Sequence, residues 1–307
     1  MKKLIVKFLK IINKGLINKL SKDNIKHQPV FIIGAPRTGS TILYQAITNE
    51  LNVTYIDNLS CKFNKVLFLG QLISNIIFRR KSHNCFKSDH GKTKQCNLHA
   101  PSECGGFWYN WLPKNKHFID FNEIDKFSLE EMKLEITAIS NFFSKPLIFK
   151  NLNAGQRMRM IKEIFPKAKF ILIKRDPLFT AQSILKAKRK SGKPDDEFWS
   201  VMPKNIKELE KFNTYEQIIK QIYYLEKQII EDSKLFDKEN FLTIDYCEFG
   251  NSFQNVMIRC KQFIDVDKRD NYEVADIKLS EKLSLEENEL ILFKEEIDKL
   301  DWENYSD

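Results

Sequence analysis

Short apolar runs interrupt a polar chain at 30–34, 52–56, 146–150, 169–174 and 241–245. The first run and the one at 169–174 are rich in Ile, Phe, Val and Leu without alternating polar residues, the pattern of strands buried on both faces of a parallel sheet. Between the runs, apolar residues recur every three or four positions. This spacing predicts helices over 61–78, 128–143, 154–165, 177–190, 204–235, 249–264 and 284–300. The last opens with Ser284-Leu285-Glu286-Glu287, which reads as a capping box. Strand and helix alternate along most of the length, which predicts an α/β fold: a P-loop-type three-layer α/β/α arrangement with a mostly parallel central sheet. The 307 residues, 42% hydrophobic, suffice for one sizeable core with appended helices.

The first strand runs into Gly34-Ala35-Pro36-Arg37-Thr38-Gly39-Ser40-Thr41, and a helical pattern follows. The nucleoside-triphosphate loop G-x-x-x-x-G-K-[ST] has this glycine spacing, with a lysine for the β/γ oxygens and a hydroxyl for Mg²⁺. Here Ser40 stands in the lysine position and the cation lies upstream, at Arg37. Strand, glycine loop and helix N-terminus still direct backbone N–H groups and a positive dipole end at one anion. The loop is less suited to a metal-bridged triphosphate, which points to another phosphate-bearing donor.

A second strand, Lys169–Lys174, runs into Arg175-Asp176-Pro177, and Ser183 follows early in a helix. An arginine at a strand end and a serine on the next helix can converge on one phosphate. A Walker-type NTPase is expected to end a core strand on an aspartate for Mg²⁺; this strand ends on cations.

With these two loops in this order, the chain resembles the sulfotransferase superfamily, in the bacterial-type branch that carries arginine in the first loop. The resemblance implies 3′-phosphoadenosine 5′-phosphosulfate (PAPS) as donor. Pro36, Arg37, Thr38, Gly39, Ser40 and Thr41 would form the 5′-phosphosulfate loop, and Arg175 and Ser183 the 3′-phosphate site. Lys145–Asn151 is similar to the family's strand ending on lysine, here Lys150. Asn240–Glu248 is similar to its Tyr-x-Glu element near the adenine, with Tyr246. Some relatives place an arginine four residues after the serine; here Ala187 stands there between Lys186 and Lys188, and either lysine could reach the phosphate. The expected organisation is a basic amphipathic helix over 1–26, a sulfotransferase-like catalytic domain over 27–265 and an acidic helical extension over 266–307.

Sulfuryl transfer, by analogy with phosphoryl transfer, needs an in-line arrangement, cations beside the leaving oxygen and a base for the acceptor hydroxyl. Arg37 and Lys150 are the expected cations. Glu103, Asp57 and His99 compete for the role of base, and Trp108, Tyr109 and Trp111 are candidates for an acceptor wall. This chemistry requires no metal. A glycan or glycolipid hydroxyl is the expected acceptor.

Charge supports a polyanionic ligand once divided by region. Residues 1–26 carry a net +7 and 266–307 a net −8, so the total of +9 leaves +10 between them. A cleft of one sign focuses its field on such a ligand. Nucleic acid would also suit a basic core, but no helix-turn-helix, zinc-finger or RNP-type motif is present, so none is expected as partner. A nucleotide kinase or NTPase would share the fold yet lacks the loop lysine. A non-catalytic membrane-surface protein would leave Arg37, Arg175 and Ser183 without a role.

At 100° per residue, Lys3, Lys7, Lys10 and Lys14 share an arc of about 60°, opposite Leu4, Ile5, Phe8, Leu9, Ile11, Ile12 and Leu16. Such a helix lies in a membrane interface or packs on its own domain with a solvated lysine face. Lysine interrupts the run too often for a spanning helix or signal core. The expected setting is therefore cytoplasmic, at the inner face of the membrane if residues 1–20 dock there. Reduced thiols follow for the six cysteines. His83, Cys85, His90, Cys96, His99 and Cys104 cluster in sequence, but without paired C-x₂-C spacing the zinc signal is weak.

Overall fold

In the computed structural model, five strands form one sheet in the order β2-β3-β1-β4-β5, and every pairing is parallel. The residues described are 2–79, 81–87, 93, 96–192, 197–272, 279 and 282–302, with side chains from Lys7 onward. Helix α1 (Lys2–Leu20) precedes β1 (Val30–Ile33), α2 (Ser40–Glu50) and β2 (Thr54–Tyr55). After α3 (Leu67–Phe78), α4 (Gly105–Trp108) and α5 (Lys126–Phe143) comes β3 (Leu147–Lys150), then α6 (Met158–Ile164) and β4 (Lys169–Lys174). The remainder is α7 (Pro177–Ser191), α8 (Ile206–Leu209), α9 (Thr214–Ser233), β5 (Phe241–Asp245), α10 (Tyr246–Asn251), α11 (Phe253–Ile264) and α12 (Glu287–Asp298).

Aromatic register fixes the sheet. Phe149, Phe31, Phe170 and Phe241 are lateral neighbours on β3, β1, β4 and β5. Their rings stack in sequence at 5.3, 5.7 and 5.0 Å. A one-residue slip of any strand would move its phenylalanine to the opposite face, so the ladder specifies the pairing. This face packs on α5, α6 and the amino-terminal helix through Met132, Ile136, Ile161 and Ile17. The other face, with Val30, Ile32, Ile148 and Ile171, packs on α2 and α11. Three layers result, as the pattern of apolar runs predicts.

Several helices differ from expectation for local reasons. The stretch 204–235 is broken because Asn213 caps α9, its side chain accepting the N–H groups of Tyr215 and Glu216. The stretch 249–264 divides at Ser252, after Asp245 has capped α10. The capping box of α12 is Glu286 with Glu289, not Ser284, whose N–H instead donates to Gln182 Oε1. The expectation of reduced thiols is also corrected: disulfides join Cys61 to Cys104 and Cys85 to Cys96, and neither includes Cys247 or Cys260. These four cysteines therefore offer no thiolate to a metal, His83 hydrogen-bonds Thr48, and His90 lies outside the described residues. The pairing also withdraws reduced thiols as a reason for a cytoplasmic setting. Among the described residues no helix is long and apolar enough to cross a membrane.

The acidic carboxy-terminal segment packs on α7 and α9 through Phe293, which is fully buried among Ile184, Ile218 and Ile222. Replacing it with alanine should therefore cost about 3–5 kcal/mol, read as a lowered urea midpoint at unchanged slope. An unchanged midpoint would mean that the segment does not belong to the cooperative core.

Candidate functional site

Three left-handed residues shape the turn after β1: Gly34 at φ 146°, Arg37 at 69° and Gly39 at 87°. The chain can fold so tightly because glycine occupies two of these positions. A Cβ on Gly34 would lie 2.5 Å from the Ile173 carbonyl, and one on Gly39 would lie 2.7 Å from the Tyr246 ring. Gly39 is also the N-cap of α2 and gives it no side-chain cap, so the first-turn amides keep their donors for a ligand. Pro36, Arg37, Gly39, Ser40 and Thr41 line a cleft of about 550 Å³ at the carboxyl ends of the strands. Thr38 differs from expectation: it is fully buried, and its hydroxyl donates to the Ala35 carbonyl at 2.9 Å, bracing the turn from within.

Arg175 follows β4 and Ser183 lies on α7, whose start is fixed by Asp176 and Pro177. Arg37 Nε donates to Ser183 Oγ at 2.9 Å, and Arg175 Nη1 donates to the Arg37 carbonyl at 3.2 Å. The Arg175 guanidinium also stacks on Tyr246 at 4.1 Å, while that of Arg37 lies 5.9 Å from Trp199. The two loops expected to hold separate phosphates are thus laced into one surface. A neighbouring recess of about 440 Å³ continues from Arg175 and Ser183 to Lys186, Lys282 and Ser284. Of the two lysines left open by sequence, Lys186 lines this recess; Lys188 is buried.

On the other side of the cleft, Lys150 ends β3 with only 4% of its side chain exposed and forms an ion pair with Glu103. The disulfide from Cys61 to Cys104 holds the Glu103 turn against residues 60–66, and Cys104 takes φ 43° as N-cap of α4. Glu103 is the one base candidate that lines this cleft. Asp57 instead lines a separate small pocket of about 60 Å³, where its carboxylate accepts from Ser60 N–H at 2.7 Å and from the Ser74 hydroxyl. Burial raises its pKa despite these bonds. His99 lines the same pocket, bonded to the Tyr55 hydroxyl at 2.9 Å and stacked on Phe78. Burial, aided by Arg269, lowers its pKa to about 4. Both stand apart from the cleft: Asp57 directly follows β2, and His99 packs on Tyr55 of that strand. Of the aromatic candidates only Tyr109 lines the cleft; Trp108 packs on Phe149, and Trp111 on Phe107.

Cleft residues that carry no sequence signal include His117, Trp199 and Ser200. They lie in irregular segments without periodicity, brought in by tertiary bonds. His117 Nδ1 accepts the Met202 N–H at 2.8 Å, which leaves the ring proton on Nε2. Gln221 on α9 donates to the Trp199 carbonyl at 2.9 Å.

A family model described as "Sulfotransferase family" matches residues 29–270. The chain belongs to the sulfotransferase family. It is 25% identical over 197 residues to "Omega-hydroxy-beta-dihydromenaquinone-9 sulfotransferase Stf3" of Mycobacterium bovis and of Mycobacterium tuberculosis, covering 55% of this chain. The chain spans about half the length (50%) of these curated relatives. Among solved structures, sulfotransferase STF9 from Mycobacterium avium superposes with a TM-score of 0.51 at 14% identity, covering 92% of this chain and 70% of that one. That likeness concerns the fold. In the cleft, His117 has its pKa lowered from 6.5 to about 4, by burial and then by the nearby Arg157 charge.

Folded His117 is thus neutral where an unfolded one is protonated, and the unfolded chain binds more protons between those values. Its contribution to stability is present above about pH 6.5 and is lost as pH falls towards 4. His117→Asn, whose side-chain oxygen sits near the Nδ1 position and can still accept the Met202 N–H, should flatten this part of the stability–pH curve. A curve of unchanged slope would show that His117 titrates normally.

Proposed function

We propose that this sulfotransferase-family chain moves a sulfuryl group from PAPS to an acceptor hydroxyl. The observation that carries the reading is one cleft with two anion cradles joined by the Arg37–Ser183 bond. A donor with phosphate on both its 3′ and 5′ sides fits two such cradles; a single phosphate chain engages one. The uncapped start of α2, with Ser40 and Thr41, suits the 5′ side. Arg175, Ser183 and Lys186 suit the 3′-phosphate, and Tyr246 lines the cleft beside Gly39 and Arg175.

When bound, PAPS supplies an activated sulfuryl group whose departure leaves negative charge on a phosphate oxygen. Lys150, desolvated at the end of β3, holds a positive charge at the cleft wall for that purpose. Glu103 beside it is positioned to accept the proton of the acceptor hydroxyl. Neutral His117 presents Nε2–H as a donor and not as a base. Arg37, bonded to Ser183, bridges the two cradles and ties donor orientation to the loop.

For the acceptor, a hydroxyl on a lipid or glycolipid is the reading we adopt. The name of the mycobacterial relatives, an omega-hydroxy menaquinone sulfotransferase, supports a lipid-borne hydroxyl for this chain. Sulfate transfer from labelled PAPS to total membrane lipids, followed by mass spectrometry, would identify the acceptor.

Calorimetry with adenosine 3′,5′-bisphosphate, AMP and ATP–Mg²⁺ tests the donor. The bisphosphate should bind without metal and at least tenfold more tightly than either competitor. Equal binding of AMP would remove the 3′ cradle; preference for ATP–Mg²⁺ would favour a kinase. Arg175→Ala should weaken bisphosphate binding by about tenfold or more. Lys150→Ala should leave that affinity nearly intact and lower turnover by about a hundredfold to a thousandfold. Loss of affinity alone in the Lys150 variant would make this lysine a binding residue.

A further inference from the structure

Helix α1 has two apolar faces, and the domain covers only one. Ile17 is buried, and Leu16 and Leu20 pack against the same core. Asn13 Nδ2 donates to Glu135 Oε1 at 3.2 Å while its Oδ1 accepts the Leu69 N–H at 3.1 Å. Phe8 and Ile11 point elsewhere, 62% and 64% exposed, with Ile12 beside them at 37%. At about 100° per residue these three share an arc of about 100°, separate from the buried arc. Gly15 falls in the same exposed arc, where an added Cβ would meet nothing within 4 Å. Lys7, Lys10 and Lys14 occupy the adjoining arc and are all exposed. Lys14 also lies 5.8 Å from the ring of Phe127 on α5, itself largely exposed.

The bonds of α1 also set its direction. Asn13 meets Glu135, and the Leu20 carbonyl accepts from Asn141 at 3.2 Å, so α1 runs parallel to α5. The carboxyl end of α5 leads within a few residues into β3, at the amino edge of the sheet. The amino halves of α5 and α1 therefore point to the carboxyl ends of the strands, the end at which the cleft opens.

We propose that the amino half of α1 docks the protein on an anionic lipid bilayer. Phe8, Ile11 and Ile12 enter the interface, and Lys7, Lys10 and Lys14 face the headgroups. Charge complementarity selects this occupant, since residues 1–26 carry a net +7. A second copy of the chain, paired two-fold on this stripe, would bring the same lysines against one another. Docking rests on α1 alone; only its use, presenting the cleft to a lipid-borne acceptor, rests on the function proposed above.

Flotation of the full chain with phosphatidylglycerol-containing and with pure phosphatidylcholine vesicles, at low and high salt, tests the proposal. The protein should float with the anionic vesicles at low salt and be released at high salt. Lys7→Gln/Lys10→Gln/Lys14→Gln should lower partitioning by about a hundredfold. Phe8→Ser/Ile11→Ser should lower it by about tenfold or more. Neither variant touches the core, so thermal unfolding and bisphosphate binding should match the parent. Flotation of both variants equal to the parent overturns the proposal. So does a lipid-free dimer, seen by light scattering, that Phe8→Ser/Ile11→Ser dissolves. Intact flotation together with absent bisphosphate binding would sink the sulfotransferase reading and leave the docking in place.

Discussion

The seating of Gly39 under the Tyr246 ring is the contact on which the site depends. The loop after β1 must descend far enough for the α2 amides to open into the cleft, and any Cβ at this position would strike the ring. Tyr246 in turn opens α10, whose start is fixed by Asp245, and carries the Arg175 guanidinium on its other surroundings. Arg175 then reaches back to the Arg37 carbonyl, so the ends of β1, β4 and β5 are locked into one surface. The position between β3 and β4, where successive connections diverge to opposite sides of β1, is where an open α/β sheet forms its ligand crevice.

The Lys150–Glu103 pair sets the second constraint. A lysine this deeply buried is tolerated because its partner neutralises it, and removing either partner leaves an uncompensated charge. The pair stands on β3 and on a turn held by the Cys61–Cys104 disulfide, two elements that share no local sequence. Its geometry is therefore a product of tertiary structure.

Legibility in the sequence followed the same division. β1, β3 and β4 could be read because burial on both faces demands continuous apolar runs, and each of the four laddered phenylalanines lies inside a predicted strand. The glycine loop, Arg175 and Ser183 could be read because backbone geometry and anion chemistry limit the residue types. Asp57, after a strand, and His99, in the turn that also holds Glu103, misled because a polar residue there looks alike whether it faces the cleft or a separate small pocket. His117 and Trp199 gave no signal, since bonds to Met202 and Gln221 from distant segments position them. For α1, the helical wheel offered a membrane face or a packed face as alternatives. The helix is wide enough in its apolar arc for the domain to cover one part and leave Phe8, Ile11 and Ile12 outside.

Bisphosphate binding by Gly39→Ala tests the central contact most directly. The added methyl cannot fit beneath the Tyr246 ring, and the left-handed φ of 87° disfavours alanine as well. The loop must lift, so affinity for adenosine 3′,5′-bisphosphate should fall by at least about tenfold while the protein remains folded by circular dichroism. Undiminished affinity in a folded Gly39→Ala protein would contradict the claim that this contact holds the phosphate cradle in place.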